Sequence, residues 1–527
     1  MEWLNIVRAL GAIAVFVGST AFAASPTTRP NVVLILADDM GYSDLGCFGS
    51  EIKTPNIDSI GKAGVTFTQF YNQARCCPTR ATLMTGRWPH QVGIGAMIDG
   101  YAAKQRAAAN SPAYDDHLST ASPTIPELLR PAGYQTLMSG KWHLGYRWAE
   151  WPFARGFDRS FALIGGAMNY YGPGPGERVI MAEDDKPYTP PREGFYSTDA
   201  FTDHAISQIE TATRTPDKPF FLYLAYNAPH WPLQAPEADV KKYSGVYDRG
   251  FQAARVDRFK RMKELGIVPT DAAMAPMDRG QVKGWDAMTA DERTQWARRM
   301  EVYAAQVDHL DGQVGRVLAT LDKLGVADNT LVIFLSDNGG AAEDPNGGDK
   351  SAPIGSRESF RGYARPWATV SNTPWRMHKV SPYEGGVSTP LLARWPAGIP
   401  KTAVGMLVRT PGHVIDLMPT LLDVANTPYP TKPNGPSPEG RSLLPVFRGE
   451  PDTGHPAYYW EHENNRGLRD AQWKLVSMRG DKAWHLFDVA VDRTESRDVS
   501  MEQPEVVKEL AAKYDAWAKR VGVALPN

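Results

Sequence analysis

Two acidic segments stand where hydrophobic runs end, and both are suited to a hard cation. Asp38 and Asp39 follow residues 31–37 (NVVLILA). Adjacent carboxylates offer the oxygen ligands that calcium or magnesium takes. Asp337 and Asn338 follow residues 330–336 (TLVIFLS) and add a carboxylate and a carboxamide. Each segment alone reads first as a turn or a helix cap, where Asp, Asn and Gly are common. If the two converge, they complete one oxygen-rich site. The three cysteines are Cys47, Cys76 and Cys77. Vicinal cysteines bridge each other only with strain, and a chain this long with three of them is not built on disulfides. The Cys76-Cys77 pair therefore asks for a chemical explanation.

These residues need elements to position them. Residues 31–37, 220–225 (FFLYLA) and 330–335 are continuous apolar, β-branched runs, the pattern of strands buried on both faces. Helical patterns lie between them at 124–129, 199–211 and 290–324. This alternation predicts an α/β fold with a large, mostly parallel central sheet flanked by helices. Ligands in such sheets sit at the carboxyl ends of the strands, where Asp38, Asp39 and Asp337 fall. Two stretches, 232–284 and 339–374, look like insertions and are expected to border the pocket as lids. From residue 428 the chain turns Pro- and Gly-rich. Short strand-like runs follow (457–460, 473–476, 484–487), then a helix over 505–520. They predict a small antiparallel sheet with a helix. The expected division is a catalytic unit over 27–427 and a C-terminal subdomain over 428–527.

The segment CCPTRATLMTGR, residues 76–87, resembles the sulfatase signature: Cys, any residue, Pro, a small residue, Arg, then an apolar pair, Thr and Gly. A buried cysteine opening a helix would need neither Pro78 nor Arg80 at those spacings. Read from Cys77, the proline falls immediately after the cysteine and the arginine is out of register, so Cys76 is the residue in frame. The resemblance implies that Cys76 is oxidised by a formylglycine-generating or equivalent maturation enzyme. The hydrated aldehyde then attacks sulfur, and the sulfated group collapses back to aldehyde by expelling sulfate. It implies an alkaline-phosphatase-like sandwich and a divalent metal held by Asp38, Asp39, Cys76, Asp337 and Asn338. Oxygen donors favour calcium (Ca2+), with magnesium (Mg2+) as the alternative. Residues 140–145 (GKWHLG) resemble a family element in which Lys141 binds sulfate and His143 contacts the formylglycine. Residues 227–231 (NAPHW) place His230 at the leaving group. Lys379 precedes residues 383–390 (YEGGVSTP), which resemble the family's Glu-Gly-Gly segment, and matches its second sulfate-binding lysine. Where the family usually closes that segment with arginine, this chain has Ser388. Residues 486–489 (LFDV) with Asp492 resemble the C-terminal sulfatase element. With Arg80, the expected catalytic set is Cys76, Arg80, Lys141, His143, His230 and Lys379.

The implied activity is hydrolysis of sulfate monoesters of the arylsulfatase type, with a small-molecule or glycan sulfate ester as substrate. The alternatives are a carbohydrate-specific sulfatase, a phosphonate or phosphate diester hydrolase of the same superfamily, and a non-catalytic sulfated-glycan-binding descendant. Lys plus Arg total 57 against 59 Asp plus Glu. That balance suggests no nucleic-acid partner, so an anionic substrate must be drawn in by local cations. Residues 10–17 form a short apolar core and residues 21–23 (AFA) a small-x-small cleavage site. This predicts a signal peptide over 1–23, export to the periplasm or medium, and no stable membrane anchor.

Overall fold

The computed structural model describes residues 29–99, 111–173, 180–345, 347–349, 351–430, 437–452 and 454–524. The signal peptide expected over 1–23 lies outside the described residues, as does part of the Pro- and Gly-rich stretch after 428.

One large sheet organises the molecule. Its strands are β1 (Asn31–Asp38), β2 (Val65–Tyr71), β3 (Gln135–Lys141), β4 (Arg159–Leu163), β5 (Met181–Glu183), β6 (Lys186–Tyr188), β7 (Phe220–Pro229) and β8 (Thr330–Ser336). A short pair, β9 (Gly347–Gly348) and β10 (Ser359–Phe360), stands apart. The sheet continues with β11 (Ser388–Arg394), β12 (Met406–Val408) and β13 (Gly412–His413). The order is β12-β2-β11-β8-β1-β7-β3-β4-β5-β6, with β13 also on β2. The central strands β8, β1, β7, β3 and β4 are mutually parallel. The expectation of a mostly parallel central sheet holds. The exception near the middle is β11, antiparallel to both β8 and β2. Its first residue therefore lies at the edge where its neighbours end.

Alternation along β1 shows why its run is continuously apolar. Val33, Ile35 and Ala37 belong to the core on one face, with the long helix Ala290–Lys323 and the helix Ser197–Ala212. Val32, Leu34 and Leu36 belong to the core on the other, with the helices Cys76–Thr85 and Leu417–Val424. A strand covered on both faces has no polar side to show. The long helix starts where Thr289 accepts from the Glu292 amide and Glu292 returns the bond, a reciprocal cap.

The C-terminal part forms a separate four-stranded antiparallel sheet, β14 (Tyr458–His462), β15 (Asn465–Asp470), β16 (Trp473–Ser477) and β17 (His485–Asp488). Leu468, Leu475 and Leu486 pack against Leu510, Tyr514 and Trp517 of the helix Pro504–Val521. That small sheet with its helix was expected; strand β15, polar at both ends, was not.

The stretch 232–284 corrects a sequence expectation. No residue of it lines the cavity described below. Part of its charge is buried. Arg258, on the helix Gly250–Glu264, is buried and donates to Asp44 at 2.6 Å and to Glu51 at 2.7 Å. Asp44 in turn accepts from the Gly41 amide at 2.8 Å and from the Tyr303 hydroxyl at 2.7 Å. The insertion is thus a buttress behind the loop that carries Asp38 and Asp39.

Candidate active site

The site is assembled at one sheet edge. β1 ends in Asp38, β8 leads into Asp337 and Asn338, β3 ends in Lys141, and β7 leads into His230. β2 leads through a short loop to the helix Cys76–Thr85. Because β11 runs the other way, the segment before it brings Lys379 and Glu384 to the same edge. The backbone is bent hard at several of these exits. Asp39 has φ 66°, His143 φ 58° and Val380, next to Lys379, φ 80°. Left-handed backbone is uncommon for such residues and clusters where function over-determines geometry.

Three cation–carboxylate pairs lie at this edge, their side chains almost fully buried. Lys141 Nζ is 2.6 Å from Asp38 Oδ2, Lys379 Nζ is 2.8 Å from Asp39 Oδ1, and Arg80 Nη2 is 2.8 Å from Asp337 Oδ2. Arg80 also donates to the Lys141 carbonyl at 2.9 Å. Cys76 Sγ is 3.6 Å from Asp38 Oδ1. His230 Nε2 is 3.4 Å from Asp39 Oδ2. Asn338 Nδ2 donates to Asp39 Oδ1 at 2.7 Å, and Asp337 Oδ1 accepts from the Asp39 amide at 3.2 Å. The two acidic segments therefore do converge.

Burial sets the electrostatics. It pushes the Asp38 carboxyl up, but Lys141, His230 and Arg80 outweigh it and hold the group near 2. Asp337 goes the other way: burial and the Asp38 charge together raise it despite Arg80. Burial pushes the Cys76 thiol up to about 12, against the pull of Lys141 and Lys379. An unmodified Cys76 is therefore a neutral thiol at ordinary pH and a poor nucleophile. Burial lowers His230. His143 is raised, because Cys77 and the hydrogen bond to Asp99 overcome its burial.

Ligand donors of Asp38, Asp39, Cys76 and His230 all lie within 4.8 Å of one another. Asn338 Oδ1 is a buried acceptor with no hydrogen-bond partner in the structure. A buried orphan oxygen beside two carboxylates is what an oxygen-ligated cation would satisfy. The residues present fit calcium or magnesium.

Above this floor opens a cavity of about 290 Å3 whose lining includes Cys76, His143, His230 and Lys379. His143 is not placed quite as expected. Its Nε2 is 2.9 Å from Asp99 Oδ2 and 3.4 Å from Cys77 Sγ. One nitrogen serves both partners, so Cys77, His143 and Asp99 cannot act as a nucleophile–base–orienter relay, which needs both ring nitrogens. The three cysteines are free thiols.

Sequence reasoning missed the cavity walls: Arg75, Asp99, Tyr146, Trp231 and Glu343. Arg75 and Trp231 adjoin predicted site residues, and Glu343 lies in the stretch 339–374, the part of it that does border the cavity. It also missed what Ser388 meets. Ser388 Oγ donates to Glu384 at 2.7 Å, and Arg493 of the C-terminal part donates to that glutamate at 2.7 Å and to Ser388 Oγ at 3.1 Å. Arg493 thus reaches Ser388 and Glu384 from far along the chain.

Comparison with known proteins agrees with this geometry. A family model described as Sulfatase matches residues 30–427, and one described as N-sulphoglucosamine sulphohydrolase, C-terminal, matches residues 376–519. An uncharacterized sulfatase of Schizosaccharomyces pombe is 34% identical, covering 94% of this chain and 94% of its own. An arylsulfatase of Klebsiella aerogenes is 33% identical, covering 80% of this chain and 92% of its own. The crystal structure of Ps i-CgsB in complex with k-i-k-neocarrahexaose superposes with a TM-score of 0.69 at 28% identity, covering 93% of each chain. The layered fold is that of the alkaline-phosphatase-like sulfatases, and the chain belongs to the sulfatase family, the hydrolases of sulfuric esters.

Proposed function

We propose that this sulfatase hydrolyses sulfate monoesters of the arylsulfatase type, using a formylglycine formed from Cys76 and a divalent cation, calcium in preference to magnesium. The observation that carries this reading is the meeting of Cys76 with Arg80, Lys141 and Lys379 around three carboxylates at one strand edge. Asp38, Asp39, Asp337 and Asn338 would hold the cation with residue 76. When bound, it would polarise the sulfate oxygens and take over the neutralisation of Asp38 and Asp39, freeing both lysines for the substrate. A formylglycine at position 76 would supply a hydrated aldehyde as nucleophile and a route to release sulfate by returning to the aldehyde.

The chain's own residues do the rest. Arg80 and the two lysines supply fixed positive charge where negative charge develops. Position 76 opens a helix, whose free amides add positive potential. Asp337, whose basicity burial and the Asp38 charge increase, accepts the proton of the attacking hydroxyl as the carboxylate paired with Arg80. His230, with Lys379 in the cavity wall, assists departure of the alkoxide or phenoxide. We also infer maturation by a formylglycine-generating or equivalent enzyme, and export through the leader at 1–23. Among the described residues no helix is long and apolar enough to cross a membrane.

The direct test is turnover of 4-nitrophenyl sulfate by protein matured in a formylglycine-generating host. Chelation should abolish turnover and calcium should restore it. Full activity after complete removal of divalent ions would sink the metal assignment.

A further inference from the structure

Charge in the cavity is graded with depth. The cations lie deep: the side chains of Lys379, His143 and Arg75 are 3%, 1% and 17% exposed. The carboxylates that meet them lie outermost, with Asp99 at 42% and Glu343 at 36%. Glu343 is held in place from three sides. Arg75 Nη1 donates to Oε1 at 2.8 Å, Trp231 Nε1 donates to Oε2 at 3.1 Å, and Lys379 Nζ stands 3.5 Å from Oε2. Asp99 accepts from the Tyr146 hydroxyl as well as facing His143. Neither carboxylate can swing aside without breaking these contacts. The cavity lining also includes Met97, Leu163, Ile180, Tyr146 and Trp231.

With a divalent cation held by Asp38 and Asp39, a positive floor beneath two outward-facing carboxylates would discriminate among anions. A sulfate ester delivers its one charged group to the floor and leaves the rest of the molecule at the mouth. A second anionic group there meets Asp99 or Glu343, and Arg75, which lies beneath Glu343, is already paired with it. Like charges brought together in a partly desolvated cleft are strongly disfavoured. We infer that Asp99 and Glu343 are specificity-determining residues, restricting the enzyme to sulfate esters of uncharged leaving groups. Aryl rings and neutral sugars meet that condition; uronate-bearing and multiply sulfated glycans do not. This rests on the sulfate monoesterase reading above and narrows its substrate class.

The test uses an isosteric pair, 3-carboxyphenyl sulfate and 3-carbamoylphenyl sulfate, which differ in charge and hardly in shape. Mature wild-type enzyme should favour the carboxamide in kcat/KM by about tenfold or more. The preference should shrink in Glu343→Gln and Asp99→Asn, and most in the double variant. Reading a ratio within each protein separates charge selection from any general loss through Lys379 or His143. Binding of both esters to unreactive Cys76→Ala protein, followed by calorimetry, reads the same preference without turnover. Equal kcat/KM and equal binding in wild type, or a ratio unmoved in the double variant, would overturn the inference. If the mature enzyme cleaves neither ester while Cys76→Ala protein still prefers the carboxamide, the sulfatase chemistry fails and the charge selection stands.

Discussion

At the scale of single residues, the vicinal cysteines offer a direct choice of nucleophile. Cys76 faces Asp38 and the cavity, whereas Cys77 is packed against Met97 Sδ at 3.5 Å and His143. Trypsin cleavage after Arg75 releases residues 76–80 as one peptide, which should carry one aldehyde and one thiol in matured enzyme. Cys76→Ala should abolish turnover. Cys77→Ala should keep most of it and lose about 1 kcal/mol of stability through a small buried gap. Steady multiple turnover by Cys76→Ala would overturn the mechanism. The lysines test the floor of the site. Removing a preorganised charge at a developing anion costs about 10²–10³ in rate, so Lys141→Ala and Lys379→Ala should lower kcat by that order. Unchanged kinetics in Lys379→Ala would exclude it from the sulfate site.

At the scale of elements, the site depends on how strands end. Lys141 closes β3 immediately after Gly140, whose φ is 115°. A Cβ added at Gly140 would stand 1.9 Å from the Ala225 carbonyl oxygen on the neighbouring β7. Only glycine lets the two strands keep their spacing and aims Lys141 at Asp38. Gly140→Ala should therefore destabilise the fold by about 3 kcal/mol or more and lower turnover in whatever protein remains folded. Wild-type melting and kinetics in that variant would show that β3 can relax without moving the lysine. The helix Cys76–Thr85 is treated similarly at its far end, where Gly86 (φ 63°) caps it and returns its amide to the Thr82 carbonyl.

At the scale of the whole molecule, the C-terminal part braces the site. Trp460 donates to the Asn72 carbonyl at 2.7 Å, four residues before Cys76, and His90 is 2.7 Å from Glu461. Behind Lys379, Lys474 bridges Glu384 at 2.7 Å and Glu495 at 2.9 Å, all three buried. Burial and the Glu384 charge push Glu495 up to about 7, despite Lys474. The folded protein thus holds a proton that the unfolded chain releases in the ordinary glutamate range, near 4.3. The folded state binds more protons in that window, so this group's contribution to stability falls as pH rises from about 4.3 to 7. Glu495→Gln should flatten that part of the pH dependence of the melting temperature. A slope identical to wild type would place the proton elsewhere. We propose that the division at 427/428 is one of folding units joined by this buried network, so that removing 428–527 should cost activity along with the docked sheet.

Much of this was legible in the chain. Residues 31–37, 220–225 and 330–335 declare buried parallel strands because a strand covered on both faces has no polar alternate positions to obscure it. The register of Cys76, Pro78 and Arg80 singles out one of two adjacent cysteines, because spacing along a helix is itself geometry. Strands β2 and β11 escaped notice since they mix Thr and Gln or start beside glycines, and β11 is antiparallel, so no local pattern says that Lys379 reaches the same edge as Asp38. Residues 232–284 read as a lid and not as a buttress because charge is read one residue at a time, and the partners of Arg258 lie more than 200 residues away at Asp44 and Glu51. The contact of Arg493 with Ser388 and Glu384, and the outward carboxylates Asp99 and Glu343, are of the same kind. Residue types and local spacing determine which groups can do the chemistry. Which charges face each other is decided by strand order and direction, which a one-dimensional pattern does not contain.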